Sequence, residues 1–269
     1  MPLELLFLGS GTSAGVPMIG CDCRVCCSHD PRDQRSRPSV LVRYPSPDGA
    51  STCQYLIDAT PEMRIQVIRH EIARLDGVLI THAHADHIFG LDDLRRFNAV
   101  MKCPIPMYSE VDTIERLGTI FSHIFEPHKN VNQSFVASLM PQPVQAGKTI
   151  ELHAARWTPL RLLHGRLPIL GFRVDFANES LAYCTDVSSF PPETYPLLEG
   201  LDVLVIDALR YRHHPTHMTV DQALGEIEQI GPKRAYLTHI AHDIMHAELE
   251  ARLPEHVYLG FDGLVVSCR

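Results

Sequence analysis

The feature that most constrains this chain is a single run, Leu79-Ile80-Thr81-His82-Ala83-His84-Ala85-Asp86-His87, in which four ligand-type side chains follow directly on an apolar stretch. Gly77 to Thr81 reads as a short buried strand, since a β-rich run this brief is bounded by Asp76-Gly77 and closes on a polar residue. In extended chain, side chains two apart point the same way, so His82 and His84 are placed to grip one metal ion from one side. Asp86 and His87 fall where the chain turns into the segment from Ile88 to Asn98, and they face a second ion. The small Ala83 and Ala85 leave room for closely packed ligands. Sixteen histidines in 269 residues is an excess, and the chief uses of imidazole are metal ligation and proton transfer, so more site residues are expected elsewhere.

The rest of the chain reads as an α/β domain with evenly spaced Pro and Gly and no repeat or long linker. Leu3 to Leu8 is a buried strand entering the tight Gly9-Ser10-Gly11 turn, and Val40 to Tyr44 and Gln54 to Ile57 are further strands. Pro61 to Leu75 has helical spacing with Pro in the first turn. Leu181 to Thr185, Val203 to Ile206 and Arg234 to Thr238 are short apolar runs that end on Asp186, Asp207 and His239. Between the last two runs, Thr219 and Gln222 form a capping box ahead of an apolar stripe that Gly231-Pro232 stops. From about Pro104 to Thr149 the chain reads only as helix plus loops framing a pocket. Lys and Arg number 24 against 32 Asp and Glu, a net charge of −8, which argues against a basic nucleic-acid surface. No run of about eighteen apolar residues provides a membrane span. The apolar stretch from Met1 to Leu8 is too short and too uncharged for a secretory signal, and with unpaired-looking cysteines it places the protein in a reducing cytoplasm.

Two further clusters carry chemistry. Cys21, Cys23 and Cys26 offer three thiolates in six residues, a compact claw for a soft ion, and tetrahedral zinc needs a fourth ligand. Cys27 and His29 compete for places there. Cys53, Cys103, Cys184 and Cys268 read as isolated residues rather than a disulfide framework. The segment Tyr211-Arg212-His213-His214-Pro215-Thr216-His217-Met218 forms a loop between a strand and the capped helix, where an imidazole is placed to protonate a leaving alkoxide. Arg210 and Arg212 are candidates to meet a phosphate. His70, His123, His128, His246 and His256 have no partner pattern.

Thr81-His82-X-His84-X-Asp86-His87 after a strand resembles the signature of the metallo-β-lactamase superfamily. The resemblance implies an αββα sandwich spanning residues 1–269 as one domain, with a Cys-rich zinc-binding loop at about 20–30. It also implies that Asp58 supports the site from the end of an earlier strand, that His164 completes the first ion's ligands with His153 its nearest competitor, that Asp186 bridges the ions, and that His239 is the last ligand. Leu8-Gly9-Ser10-Gly11-Thr12, Gly15-Val16-Pro17 and Gly20-Cys21-Asp22-Cys23-Arg24-Val25-Cys26 resemble the phosphoribosyl cyclic phosphate phosphodiesterase branch. That similarity covers nearly the whole chain, including Leu237-Thr238-His239-Ile240-Ala241-His242 and Gly260-Phe261-Asp262-Gly263, and is weakest from about 104 to 149. It implies His242 as fourth ligand of a structural zinc, and His217 as proton donor, with His214 and His213 next in line; Asp86 counts as catalytic as well as metal-binding.

The expected activity is two-metal hydrolysis of a small cyclic phosphodiester, with two catalytic divalent ions, zinc or manganese, and one structural zinc. Family analogy implies a homodimer. A nuclease or tRNA 3′-processing enzyme is the competing reading, disfavoured by the charge and by the lack of a Lys/Arg-rich insert. A noncatalytic metal-dependent metabolite-binding role is the other. A lactamase or thioesterase is not favoured by the Cys-rich loop.

Overall fold

A computed structural model of the chain describes residues 2–126, 128, 130–131 and 134–269. Two seven-stranded sheets face each other. The first is built from β1 (Glu4–Gly9), β2 (Ser39–Pro45), β3 (Thr52–Ile57), β4 (Gly77–Leu79), β5 (Ile105–Ser109) and β6 (Leu139–Pro143), and its other edge is β14 (Val265–Ser267), paired to β1. The second contains β7 (Ile150–Leu152), β8 (Ala155–His164), β9 (Leu167–Phe176), β10 (Glu179–Cys184), β11 (Val203–Asp207), β12 (Arg234–Thr238) and β13 (Val257–Leu259) in simple sequence order. In each sheet a meander of antiparallel strands passes into parallel ones, from β3 to β4 and from β10 to β11. The helices are α1 (Met63–Arg69), α2 (Ala85–Ile88), α3 (Arg95–Met101), α4 (Val111–Ile120), α5 (Ser122–Phe125), α6 (Val220–Ile230) and α7 (His246–Glu250).

Alternation along the strands sorts side chains into three cores. Phe7, Val40, Val42, Tyr55, Ile57, Trp157, Phe172, Tyr183 and Val205 fill the space between the sheets. Leu6, Leu8, Leu41 and Leu56 point the other way, toward Met63, Val67 and Phe97 on α1 and α3. Leu204 and Ile206 face Val220, Ala223 and Ile227 of α6 on the opposite outer face. The result is the αββα sandwich. Trp157, fully buried, donates through Nε1 to the Tyr44 hydroxyl at 3.1 Å, which in turn donates to the Leu152 carbonyl at 2.8 Å, so these two large rings are buried with their polar atoms paired.

The strands expected from the sequence form, with ends moved by a residue or two. The expected helix from Pro61 to Leu75 is shorter: α1 ends at Arg69, and Glu71 adopts φ +52°. Its buried stripe is only one turn deep, Met63 and Val67. Ile72 comes five residues on, out of helical phase, and reaches the core only because the chain turns back. The 104–149 segment holds two strands that were not expected, β5 and β6, in parallel register. Pro141 and Pro143 hide β6 from a strand reading, but as an edge strand it tolerates them. This segment lines surface clefts of about 770 Å³, with Glu110, Lys148 and Arg161, and about 440 Å³, with His123 and Ser138. Neither cleft contains an expected ligand; residues 127, 129, 132 and 133 of the segment lie outside the described residues.

Both sheets deliver the ends of their strands to one rim. His82 follows β4, His164 closes β8, Asp186 follows β10, Asp207 closes β11 and His239 follows β12.

Candidate active site

Two of these strand ends, and the end of β3 beside them, carry non-glycine residues in the left-handed region: Asp186 at φ +56°, His239 at +62° and Asp58 at +64°. Such a backbone costs an L-residue of the order of 1–3 kcal/mol, and here it turns polar side chains abruptly inward from the sheets. Gly90 closes the turn after α2, where a Cβ would meet the Thr60 carbonyl oxygen at 2.1 Å. This close approach holds the turn carrying Asp86 and His87 against the end of β3.

Asp58, fully buried, organises the histidine run. Its carboxylate accepts from the Thr81 N–H at 2.8 Å, from the Thr81 hydroxyl at 2.9 Å and from His87 Nδ1 at 2.7 Å. Since the Thr81 hydroxyl proton goes to Asp58, its lone pair is left to accept from His82 Nδ1 at 3.0 Å. The Nδ1 of His164 lies 2.8 Å from the Thr216 carbonyl, which can only accept. In His82, His87 and His164 the proton therefore sits on Nδ1, and Nε2 presents a lone pair.

Those lone pairs converge. Ligand atoms of His82, His84 and His164 lie within 4.8 Å of one another, and so do those of Asp86, His87, Asp186 and His239. Asp186 also lies within that distance of His164 and His217, which puts it between the two sets. His87 Nε2 is 3.3 Å from Asp86 and from Asp186, and His239 Nε2 is 3.3 Å from Asp186. Yet Nε2 of His82, His87 and His239 is buried without a hydrogen bond, and so is Nδ1 of His239. An unsatisfied buried polar atom costs about 1–3 kcal/mol, and several facing two carboxylates fit divalent cations better than any other occupant. Burial holds His82 well below the ordinary histidine range and His164 at about 4, the neutral form a ligand requires. Burial also opposes charge on His87 and His239, but the adjoining carboxylates overcome it and push His239 up to about 9. Asp86 and Asp186 stay below the usual carboxylate range despite burial, because His87 and His239 face them. Two anionic groups at the centre of the cluster thus call for positive charge.

Beside the candidate metal ligands stands a pair the sequence did not identify. Asp207, fully buried at the end of β11, accepts from His217 Nδ1 at 2.6 Å. The His217 ring stacks on that of His239 at 4.6 Å and 17°, and stands edge-on to His164 at 4.6 Å. Burial pushes the Asp207 carboxyl up while His217 pulls it down. The Arg210 guanidinium bonds to the carbonyls of Arg212 and His213 at 3.2 and 3.0 Å and braces the loop. Arg212 is exposed near Asp243.

At the N-terminal loop, Cys21, Cys23 and Cys26 approach His242 Nδ1 at 3.2, 3.4 and 3.8 Å, and all four ligand atoms lie within 4.8 Å of one another, the donor set of a Cys₃His zinc site. The Cys26 N–H donates to the Cys23 sulfur at 3.4 Å and brings that thiol down to about 6, despite partial desolvation. Cys27 is exposed and stands, with His29, outside this group. The two sites are joined through Ile240 and Ala241, pinned where Ile240 N–H donates to the Ser10 carbonyl and Thr12 N–H to that of Ile240. Arg35, buried with Asp33, bonds the carbonyls of Ala241 and Ile244 and ties the same segments. His153 takes no part: its Nδ1 meets the Tyr55 hydroxyl at 2.6 Å.

Residues 54–240 match the description of a Beta-lactamase superfamily domain, and the chain belongs to the metallo-β-lactamase superfamily. Within it, a crystal structure described as a new diphosphatase from the PhnP family is 41% identical, with a TM-score of 0.87 over 98% of this chain and 97% of that one. Zn²⁺-bound PqqB from Methylobacterium extorquens, 19% identical, superposes with a TM-score of 0.76 over 98% and 99% of the two chains. An octanoyltransferase of Porphyromonas gingivalis (strain ATCC BAA-308 / W83) is 37% identical over 268 residues, 97% of this chain and 51% of the relative. The chain therefore spans about half the length of that relative. Among the described residues, no helix is long and apolar enough to cross a membrane.

Proposed function

We propose that the protein is a metal-dependent hydrolase of phosphodiester bonds in small molecules, with five-membered cyclic phosphates of ribose as the leading substrate class. The observation that carries this reading is the sharing of Asp186 between two ligand sets, His82, His84 and His164 on one side and Asp86, His87 and His239 on the other, with the Asp207–His217 pair alongside. Two divalent cations held there, zinc or manganese, would supply Lewis acidity to phosphoryl oxygens and to an attacking water. An anionic phosphodiester suits a site of that charge better than a neutral amide or ester does.

The chain's own residues do the rest. Asp58, through Thr81 and His87, and the Thr216 carbonyl, through His164, fix the ring tautomers that present lone pairs inward. Asp207 holds the Nδ1 proton of His217, so that Nε2 is the atom offered to the cleft, where His217 gives up a proton to the departing sugar oxygen. The Cys21, Cys23, Cys26 and His242 group has no open position and acts as a staple on the segment bearing His239.

A second reading, hydrolysis of a diphosphate bond, is favoured by the description of the 41% identical structure. Both readings use the same residues, and the net charge of −8 speaks against an RNA substrate for either. ³¹P NMR of metal-reconstituted protein with ribose 1,2-cyclic phosphate, 2′,3′- and 3′,5′-cyclic nucleotides, a dinucleoside diphosphate and pre-tRNA tests the proposal. A ring-opened monoester from the ribose phosphate is the expected product; cleavage of pre-tRNA with no small phosphate ester consumed would overturn it.

A further inference from the structure

His214 differs in tautomer from the inward-facing histidines just described. The backbone N–H of Thr216 points at its Nδ1 at 3.4 Å, and the Thr216 hydroxyl lies 3.2 Å from the same nitrogen. A backbone N–H can only donate, so Nδ1 of His214 is an acceptor and the ring proton sits on Nε2. In His82, His87 and His164 the arrangement is the reverse. On the side away from Thr216, His214 therefore carries an N–H donor where the rings of His82, His87 and His164 carry lone pairs. Its ring is half-buried and lies 5.0 Å from that of His217, which itself stacks on His239. The order of rings outward from the metal ligands is His239, His217, His214. Thr216 fixes two of the site's rings at once, since its carbonyl orients His164 and its N–H orients His214. Gly165 permits that packing: it sits at φ +63°, and a Cβ there would meet Thr216 Cγ2 at 2.8 Å.

We propose that His214 is a specificity residue whose Nε2–H donates to an oxyanion on the leaving-group side of the substrate, the second phosphoryl group of a diphosphate. This rests on the second of the two readings above, hydrolysis of a diphosphate bond. With the scissile phosphorus at the metal ligands and the departing oxygen at His217, the atoms attached to that oxygen come next to His214. In a diphosphate those atoms are a phosphorus and its charged oxygens, the acceptors a neutral N–H bonds most strongly. Burial, with the positive charges of His217 and Arg210 nearby, keeps His214 below the ordinary histidine range and so in the neutral, single-donor form.

The test compares wild type, His214→Ala and His214→Gln, all zinc-loaded, on a dinucleoside diphosphate and on bis(p-nitrophenyl) phosphate, whose leaving group has no oxyanion near the scissile bond. Gln carries an amide N–H at about the reach of imidazole Nε2. On the diphosphate, His214→Ala should lose about 10- to 100-fold in kcat/KM, mostly through KM, and Gln should restore most of it. Both variants should match wild type on the p-nitrophenyl ester. Long-range ¹H–¹⁵N spectra of the zinc-loaded protein should show the His214 proton on Nε2, a readout that needs no turnover. Equal losses on the two substrates, Gln as poor as Ala, or a proton on Nδ1 would each overturn the proposal. Wild type that cleaves the p-nitrophenyl ester but not the diphosphate would overturn it while leaving the hydrolase reading intact; wild type that cleaves neither would overturn the hydrolase reading and the proposal with it.

Discussion

If Asp207 acts only by holding His217, the two residues should show complete non-additivity in a double-mutant cycle. Loss of a general acid costs roughly 10²- to 10⁴-fold where the leaving group is a poor one such as a ribose oxygen. The Asp207–His217 contact is short, 2.6 Å, and its carboxylate is fully buried. A charge-assisted hydrogen bond of this kind contributes about 1.5–3 kcal/mol. At about 1.36 kcal/mol per tenfold change in rate, Asp207→Asn should lower kcat about 10- to 150-fold. In the His217→Ala background, Asp207→Asn should cost nothing further, so the coupling energy equals the whole effect of Asp207→Asn. The assay is kcat on ribose 1,2-cyclic phosphate beside bis(p-nitrophenyl) phosphate, whose phenolate departs unprotonated and should be nearly insensitive to every member of the cycle. Stability supplies an independent reading. His217→Ala strands a buried carboxylate at a cost of about 3–5 kcal/mol, and adding Asp207→Asn should recover much of the lost thermal stability. Additive losses of rate, or equal losses on the two substrates, would refute the dyad.

Two further outcomes follow from the supports of the two proposed metal sites. Asp58→Asn exchanges one of the two acceptor oxygens that hold Thr81 and His87 for an N–H donor and should weaken metal binding about 10- to 100-fold, measured by competition with a fluorescent chelator, although Asp58 belongs to neither ligand set. Cys23→Ser should release one zinc per chain and lower the melting temperature, while the fraction that stays folded keeps its turnover of bis(p-nitrophenyl) phosphate, because the Cys₃His group offers no open coordination position. Elemental analysis checks the first half and calorimetry the second.

How much of this was legible in the sequence differs from residue to residue. His82, His84, Asp86 and His87 stand in one run, so local spacing alone gathers them. Asp186 and His239 each close an apolar strand, and a polar residue at the C-terminal end of a buried strand is a local signal for a rim site. Asp207 carried the same signal, but its role depends on His217 ten residues later, across a loop whose path no local pattern sets. The opposite tautomer of His214 was hidden for the same reason, since it is imposed by a backbone N–H within that loop. The early end of α1 was missed because helical spacing in Pro61 to Leu75 persists by eye while Ile72 falls out of phase. β5 and β6 are hidden because their Pro residues read as breakers; β6 tolerates Pro141 and Pro143 as the edge strand, while β5, between β4 and β6, carries Pro106 near its start. The Arg35–Asp33 pair and the Asp262 carboxylate, which accepts from Ser10 and Ser36, join segments over 200 residues apart and leave no trace in local sequence.

The central claim is that Asp186 joins two ligand sets into one two-ion site. Mass-spectrometric metal analysis of wild type and Asp186→Ala, each reconstituted with zinc and freed of excess by gel filtration, tests it most directly. Wild type should hold roughly three ions per chain, two at the rim and one at the Cys₃His group. Asp186→Ala should retain the ion at Cys21, Cys23, Cys26 and His242 and lose at least one of the other two, together with turnover. A wild type holding only the Cys-bound ion, or an Asp186→Ala protein that keeps all three and its activity, would contradict the account.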